Sequence, residues 1–151
     1  MKLTLASVSP RKSGAKSDPT AALVTDYINR ASRLEPSDAL IFLTEAALLA
    51  ATDRLPGRPA AILLLFDSAG DLATSTQFAQ YLARLRDDGA QRILFGIGPA
   101  DGWSPIARAK AAQIFSLGRM TLPHELARAV AAEQIYRALT ILAGHPYHCG
   151  H

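Results

Sequence analysis

The chain has 151 residues, 49% hydrophobic and 19% charged, with a formal net charge of +3 at pH 7. That composition predicts one folded domain, residues 1–151, with its own core, and argues against disorder; the mild positive charge permits an anionic partner such as RNA without demanding one. The longest apolar runs, AALLAA from Ala46 and PAAILLLF from Pro59, fall far short of a membrane span, MKLTLASVSPRKSG lacks the apolar centre of a secretion signal, and a single cysteine excludes an internal disulfide and fits a cytoplasmic chain.

Lys2–Val8 alternates apolar and polar residues, which predicts a half-buried strand. The loop SPRKSGAKSDP follows, and its Arg11, Lys12 and Lys16 are either a solvated charge cluster or contacts for RNA phosphate. Asp18-Pro19 is a helix start, an N-cap acceptor before a proline, and Leu23, Tyr27, Ala31 and Leu34 predict a helix to about residue 34. Leu40–Leu43 reads as a short strand, and TEAALLAATDRL as a helix that stops at Pro56-Gly57. The unbroken apolar run Ala61–Phe66 predicts a strand covered on both faces. A helix opening at Ser75 carries Phe78, Leu82 and Leu85 and closes at Gly89, and Ile93–Ile97 is a further buried strand. Ser104-Pro105 caps a short helix, QIFSLG is one more short strand, and Pro123–Ala143 is the longest helix. Leu126, Ala129, Val130, Ala131, Ile135, Ala138, Leu139 and Leu142 leave that last helix apolar nearly all round, which predicts burial on more than one face. Strands alternating with helices predict an α/β fold, a mostly parallel sheet flanked by helices.

The strand Ile93–Ile97 runs into GIGPADG, a glycine loop that leads through WSP into a capped helix. Such a loop can bring backbone groups close to a polar ligand. It fails the dinucleotide fingerprint G-x-G-x-x-G, because the third glycine falls one place late, Asp101 stands in its position, and the loop follows a late strand. A plain tight turn is the other reading of the same residues.

From this loop onward the sequence resembles one family closely. GIGPADGWSP, followed by FSLGRMTLPHELARAVAAEQIYRALTILAGHPYH, is similar to the C-terminal half of the RlmH (YbeA) family of SPOUT-class methyltransferases. The matching features are the glycine loop, a Ser-Leu-x-x-Met/Leu-Thr-Leu-Pro-His segment, a Glu-Gln-x-Tyr-Arg helix and a terminal His-Pro-Tyr-His. LLFDSAGDLATSTQFAQYL also resembles the family's strand–turn–helix, whereas the first 55 residues match only loosely. The resemblance implies a SPOUT fold with a C-terminal trefoil knot and a cytoplasmic homodimer. It also implies methylation of N3 of a pseudouridine in 23S rRNA on the assembled ribosome, with S-adenosyl-L-methionine as cofactor. It assigns cofactor binding to Phe66, Gly98 and the segment Leu117, Gly118, Arg119, Met120, Thr121 and Leu122, and it implies no metal and no membrane.

Three parts of the chain test the carry-over. Pro99 stands where the family has a second glycine; either it removes a needed backbone donor, or it stiffens a turn already near its own φ. Glu133 and Arg137, at i and i+4, are either a surface ion pair or a hold on phosphate or base by Arg137, with Arg128 on the opposite side of the helix. The tail HPYHCGH makes His148 a candidate base or positioning residue and Tyr147 a stacking or hydrogen-bonding partner for the target base. Zinc held by His145, His148, Cys149 and His151 is the rival reading of the tail, weakened by adjacent ligands and by Pro146. Cys149 also departs from the family, which usually carries a basic residue there. Two rival functions therefore stand beside rRNA methylation: a non-catalytic ribosome-binding relative and a small-molecule enzyme using the glycine loop for a nucleotide.

Overall fold

The computed structural model describes residues 1–10 and 18–149. In chain order the elements are β1 (Lys2–Val8), α1 (Pro19–Ala31), β2 (Ser37–Phe42), α2 (Glu45–Ala50), β3 (Ile62–Leu72), α3 (Ser75–Asp87), β4 (Arg92–Ile97), α4 (Pro105–Lys110), β5 (Gln113–Ser116) and α5 (His124–Leu142), closed by a 3₁₀ turn at Pro146–His148. The strands form one sheet in the order β2-β1-β4-β3-β5, and every pairing is parallel. Arg11, Lys12 and Lys16, and His151 at the end, lie outside the described residues.

Alternation along each strand sends side chains to two cores. Leu3, Leu5, Leu64, Phe66, Ile93 and Phe95 pack under α1, α3 and α5, while Ala6, Val8, Leu63, Leu65 and Leu94 meet Leu48 of α2, and Trp103 and Ala107 at α4. The result is three layers, helix on sheet on helix. The chain leaves β3 for the α3 side and β4 for the α4 side. In a parallel sheet, that divergence opens a crevice above the carboxyl ends of the strands.

Several boundaries differ from the sequence expectation, each for a local reason. β1 is buried on both faces, with Thr4 satisfied by a 2.6 Å bond to Asp38 Oδ1 across the parallel ladder. α1 stops at Ala31, where the Ser32 N–H bonds back to Ile28 O, and Leu34 lies beyond it, exposed. The second predicted helix is only Glu45–Ala50, because Leu55 and Arg58 bond each other across a tight turn and Arg92 Nη2 takes the Ala51 carbonyl at 3.0 Å. β3 runs six residues past Phe66, re-pairing with β5 after a bulge between Phe66 and Asp71.

α5 is buried on several sides within one chain, through Ala129, Ala131, Ala132, Ile135, Ala138 and Leu139. Its all-round apolarity therefore needs no second chain to explain it. Leu126 is the exception among the residues expected inside, being exposed. Arg128 is buried against the start of α1, its Nη1 3.9 Å from Asp18, the residue whose carboxylate also accepts the Thr20 N–H at 2.9 Å as N-cap.

Candidate active site

A cleft of about 350 Å³ opens beside the bulge of β3 and the carboxyl ends of β4 and β5. Its walls come from four pieces of chain: Phe66–Ser68, the loop Ile97–Trp103, the segment Leu117–Pro123, and the first turn of α5 through His124 and Ala127. Among the residues expected to hold a cofactor, Phe66, Gly98, Leu117, Gly118, Met120, Thr121 and Leu122 all line it, although they lie far apart in sequence. Arg119 is exposed and does not line the cleft, and Met120 stands at the rim, 85% exposed.

The glycine loop is shaped by an indole that the sequence reading passed over. A Cβ on Gly96 would sit 2.9 Å from Trp103 Cζ2, and one on Gly98 would sit 2.9 Å from Trp103 Cε2. The glycine pair thus makes room for a buried tryptophan, whose Nε1–H donates to the Phe66 carbonyl at 3.0 Å and ties β3 to the loop after β4. Pro99 starts a turn in which its own carbonyl accepts the Gly102 N–H at 2.9 Å, and Gly102 has φ +87°, a conformation only glycine adopts without strain. Glu45 anchors the far end of this loop, taking the Ser104 N–H at 2.9 Å and the Ser104 hydroxyl.

Two further contacts set the cleft's edges. His124 Nδ1 lies 2.9 Å from Gly98 O; a carbonyl accepts only, so Nδ1 carries a proton, and Nε2 is buried with no hydrogen-bond partner among the described residues. Asp67 receives the Ala69 N–H at 2.8 Å and Arg108 Nη2 at 2.7 Å, which stiffens the bulge that forms one wall. His124, Asp67 and Trp103 were absent from the sequence-based set. The signal for His124 was present in the Leu-Pro-His segment, but nothing in spacing alone ties it to Gly98.

The residues expected to act on the substrate gather elsewhere. Arg137 gives Nε at 2.9 Å and Nη2 at 2.6 Å to Glu133 Oε1, and the Tyr147 hydroxyl donates to the same oxygen at 2.9 Å. Arg137 Nη1 faces His148 Nδ1 at 3.0 Å, and the guanidinium lies 4.9 Å from the centre of the Tyr147 ring. Tyr147 packs on Tyr136 at 4.7 Å between ring centres, and Tyr136 on Tyr27 of α1 at 6.1 Å. The pair with Glu133 holds the Arg137 guanidinium more firmly protonated than usual. Burial, then hydrogen bonding to Tyr27 and Glu133, pushes the Tyr147 phenol well above its ordinary range, so it stays a donor. Glu133 and Arg137 are four-fifths or more buried, unlike a solvated surface pair. Among the described residues no group of three or more His, Cys, Asp or Glu is placed to hold a metal ion, and Cys149 is exposed.

Within one chain the two clusters are apart. Ala127 is the last residue of α5 at the cleft and Glu133 the first of the tail cluster, six residues or about 9 Å on at the helical rise, and none of Glu133, Arg137, Tyr147 and His148 lines the cleft. Tyr147 and His148, expected beside the target base, therefore do not line the cleft of their own chain.

A parallel sheet between helical layers, with a cleft beside its strand ends and the start of a closing helix, is the α/β arrangement in which small-molecule ligands are held. Residues 1–148 match the model of the family described as "Predicted SPOUT methyltransferase". The chain is 48% identical to Ribosomal RNA large subunit methyltransferase H of Koribacter versatilis, over 85% of this chain and 88% of that one. With the protein of the same name from Xanthobacter autotrophicus it shares 42% identity over 98% and 99% of the two chains. Among solved structures, the SpoU methyltransferase AviRb from Streptomyces viridochromogenes, determined with AdoMet, has a TM-score of 0.50 at 14% identity, a likeness of fold alone, covering 96% of this chain and 58% of that one. The chain belongs to the SPOUT methyltransferase family, in the group of large-subunit ribosomal RNA methyltransferases H.

Proposed function

We propose that the protein methylates N3 of a pseudouridine in 23S ribosomal RNA on the assembled ribosome, as a homodimer in which the tail of one chain meets the cleft of the other. The observation that carries the reading is the convergence of Phe66, Gly98, Leu117, Gly118 and Met120–Leu122 on one cleft in a chain of this family. About 350 Å³ lies within the range of small-molecule pockets. Its donor set suits S-adenosylmethionine: Phe66, Ile97, Leu117 and Leu122 offer apolar contact to an adenine, and the loop backbones offer polar groups to its edge. When bound, that cofactor supplies a methyl group already activated on a sulfonium.

The remaining work falls to the chain. Pseudouridine N3 is an imide nitrogen that must lose its proton and approach the methyl in line. Holding it there converts a bimolecular encounter into an oriented one, the larger part of what such a site must provide. In this reading Arg137, Tyr147 and His148 orient the base and the phosphate next to it, and Arg137 brings a charge that is always present. None of Arg137, Tyr147 and His148 lines the cleft of its own chain, which supports a second chain as the source of the tail. The mild net charge of +3 fits a protein that borrows surface from the ribosome instead of gripping free RNA.

Nucleoside mass spectrometry of 23S rRNA from cells lacking the gene tests the proposal. Loss of a methylated pseudouridine, restored by the gene on a plasmid, is the expected result. Unchanged methylation would favour the non-catalytic relative instead.

A further inference from the structure

We propose that His124 is a positioning residue for the cofactor: its Nδ1–H holds the carbonyl of the Gly98–Pro99 peptide and so fixes the glycine loop in its binding conformation before S-adenosylmethionine arrives. The inference rests on the cofactor cleft described above and is independent of which RNA base receives the methyl group.

Pieces of chain far apart in sequence wall the cleft, and each is tied by a polar contact. Trp103 Nε1–H, donating to Phe66 O at 3.0 Å, ties the glycine loop to β3. Arg108 on Asp67 at 2.7 Å ties the bulge of β3 to α4. Ser116 Oγ steadies the next segment from within, donating to Gly118 O at 2.7 Å and accepting the Gly118 N–H at 3.1 Å. The start of α5 is joined to the glycine loop by His124 Nδ1 on Gly98 O at 2.9 Å. That helix has Pro123 as its N-cap and no side-chain cap, so its first residue uses a ring nitrogen on another wall of the cleft and not on the helix itself.

The bond falls on a peptide with a single polar atom. Pro99 supplies no N–H, so the Gly98–Pro99 unit offers only the oxygen that His124 takes. On its other side Gly98 rests against the indole, where an added Cβ would lie 2.9 Å from Trp103 Cε2. A glycine by itself would leave the plane free to turn. Packed on Trp103 and held at the oxygen by His124, it is not.

The consequence is one of affinity. A loop held in place in advance loses less freedom when a ligand binds, and the ligand binds the tighter for it. Since a carbonyl only accepts, the role of His124 is that of a donor at one defined reach from the backbone. Because the hold is on the oxygen, replacing Pro99 leaves it in place.

Substitutions of the full-length protein that differ in where the donor stands test this. The amide nitrogen of asparagine is one bond from Cγ, as Nδ1 is; that of glutamine is one bond further, as Nε2 is. In calorimetry at a temperature where melting curves show both variants folded, His124→Asn should bind S-adenosylmethionine within about twofold of wild type, whereas His124→Gln should bind it about three- to tenfold more weakly, the net effect of losing one hydrogen bond. Equal affinities for the two, high or low, would overturn the proposal. A second measurement needs neither variant to bind. In alkaline solution, where an imidazole is neutral, nitrogen-15 spectra of histidine-labelled wild-type protein should show His124, assigned by its absence from His124→Asn, protonated at Nδ1 before and after the cofactor is added. A proton on Nε2 in the free protein would overturn the proposal as well. Wild-type protein that binds no S-adenosylmethionine would overturn it together with the cleft's assignment, whereas binding without methylation of the ribosome would count against the proposed target and not against His124.

Discussion

Pro99 shows how a single residue shifts meaning between sequence and structure. By resemblance it replaces a glycine and raises the question of a lost donor. In the fold it opens the turn closed by Gly102 N–H, and the glycines at 96 and 98 are set by Trp103 packing against them. The residue that needs freedom at positive φ is Gly102, three places later. Pro99→Gly should therefore lower stability by about 0.4–1 kcal/mol through the unfolded chain and leave S-adenosylmethionine affinity unchanged. A thermal melt paired with calorimetric titration checks this, and tighter binding by the glycine variant would mean that the proline does displace a donor.

At the scale of elements, α1 and α5 depend on one carboxylate. Asp18 caps α1 and is the ion partner of buried Arg128, whose guanidinium is pushed below its usual pKa first by burial, with Asp18 opposing the shift. The Thr20 hydroxyl, chiefly, holds the Asp18 carboxyl below its ordinary range, against some opposition from burial. A depressed folded-state pKa adds stability that is present above the unfolded value near 4 and lost as pH falls through the folded one. Asp18→Ala should cost at least the roughly 1 kcal/mol of a lost N-cap at pH 7, and the gap to wild type should narrow in acid. Melting temperatures at neutral and acid pH for both proteins decide it; a gap that widens in acid would contradict the account. The sequence made this cap legible, because Asp-Pro before an amphipathic stripe has few other meanings. It did not reveal Arg128 as buried, since an arginine on a helix reads as solvent-facing until its neighbour in space is known. β3 was under-read for a similar reason: the bulge after Phe66 interrupts the apolar run, and only pairing with β5 shows that the strand resumes.

For the whole molecule, the order of elements and the parallel sheet were readable from periodicity. The cleft was not, because its walls are the bulge of one strand, the ends of two others and the start of a helix, and their convergence is a property of the topology. The cofactor set came by resemblance, and all of it except Arg119 lines one cavity. Which cleft the tail serves was not legible, because proximity in sequence to α5 says nothing about which end of that helix faces the cleft. The proposed completion of the site by a second chain makes the central claim testable by mixing. One partner is truncated after Gly144 and keeps its cleft; the other carries Ala127→Trp, which fills the cleft from α5, and keeps its tail. Each should be folded and inactive alone on ribosomes that lack the modification, and only the truncated form should bind S-adenosylmethionine. Co-refolded in equal amounts they should recover a substantial fraction of wild-type methyl transfer, carried by the mixed dimers. Wild-type activity without any recovery in the mixture would contradict the shared site, and wild-type protein that transfers no methyl group to the ribosome would contradict the function itself.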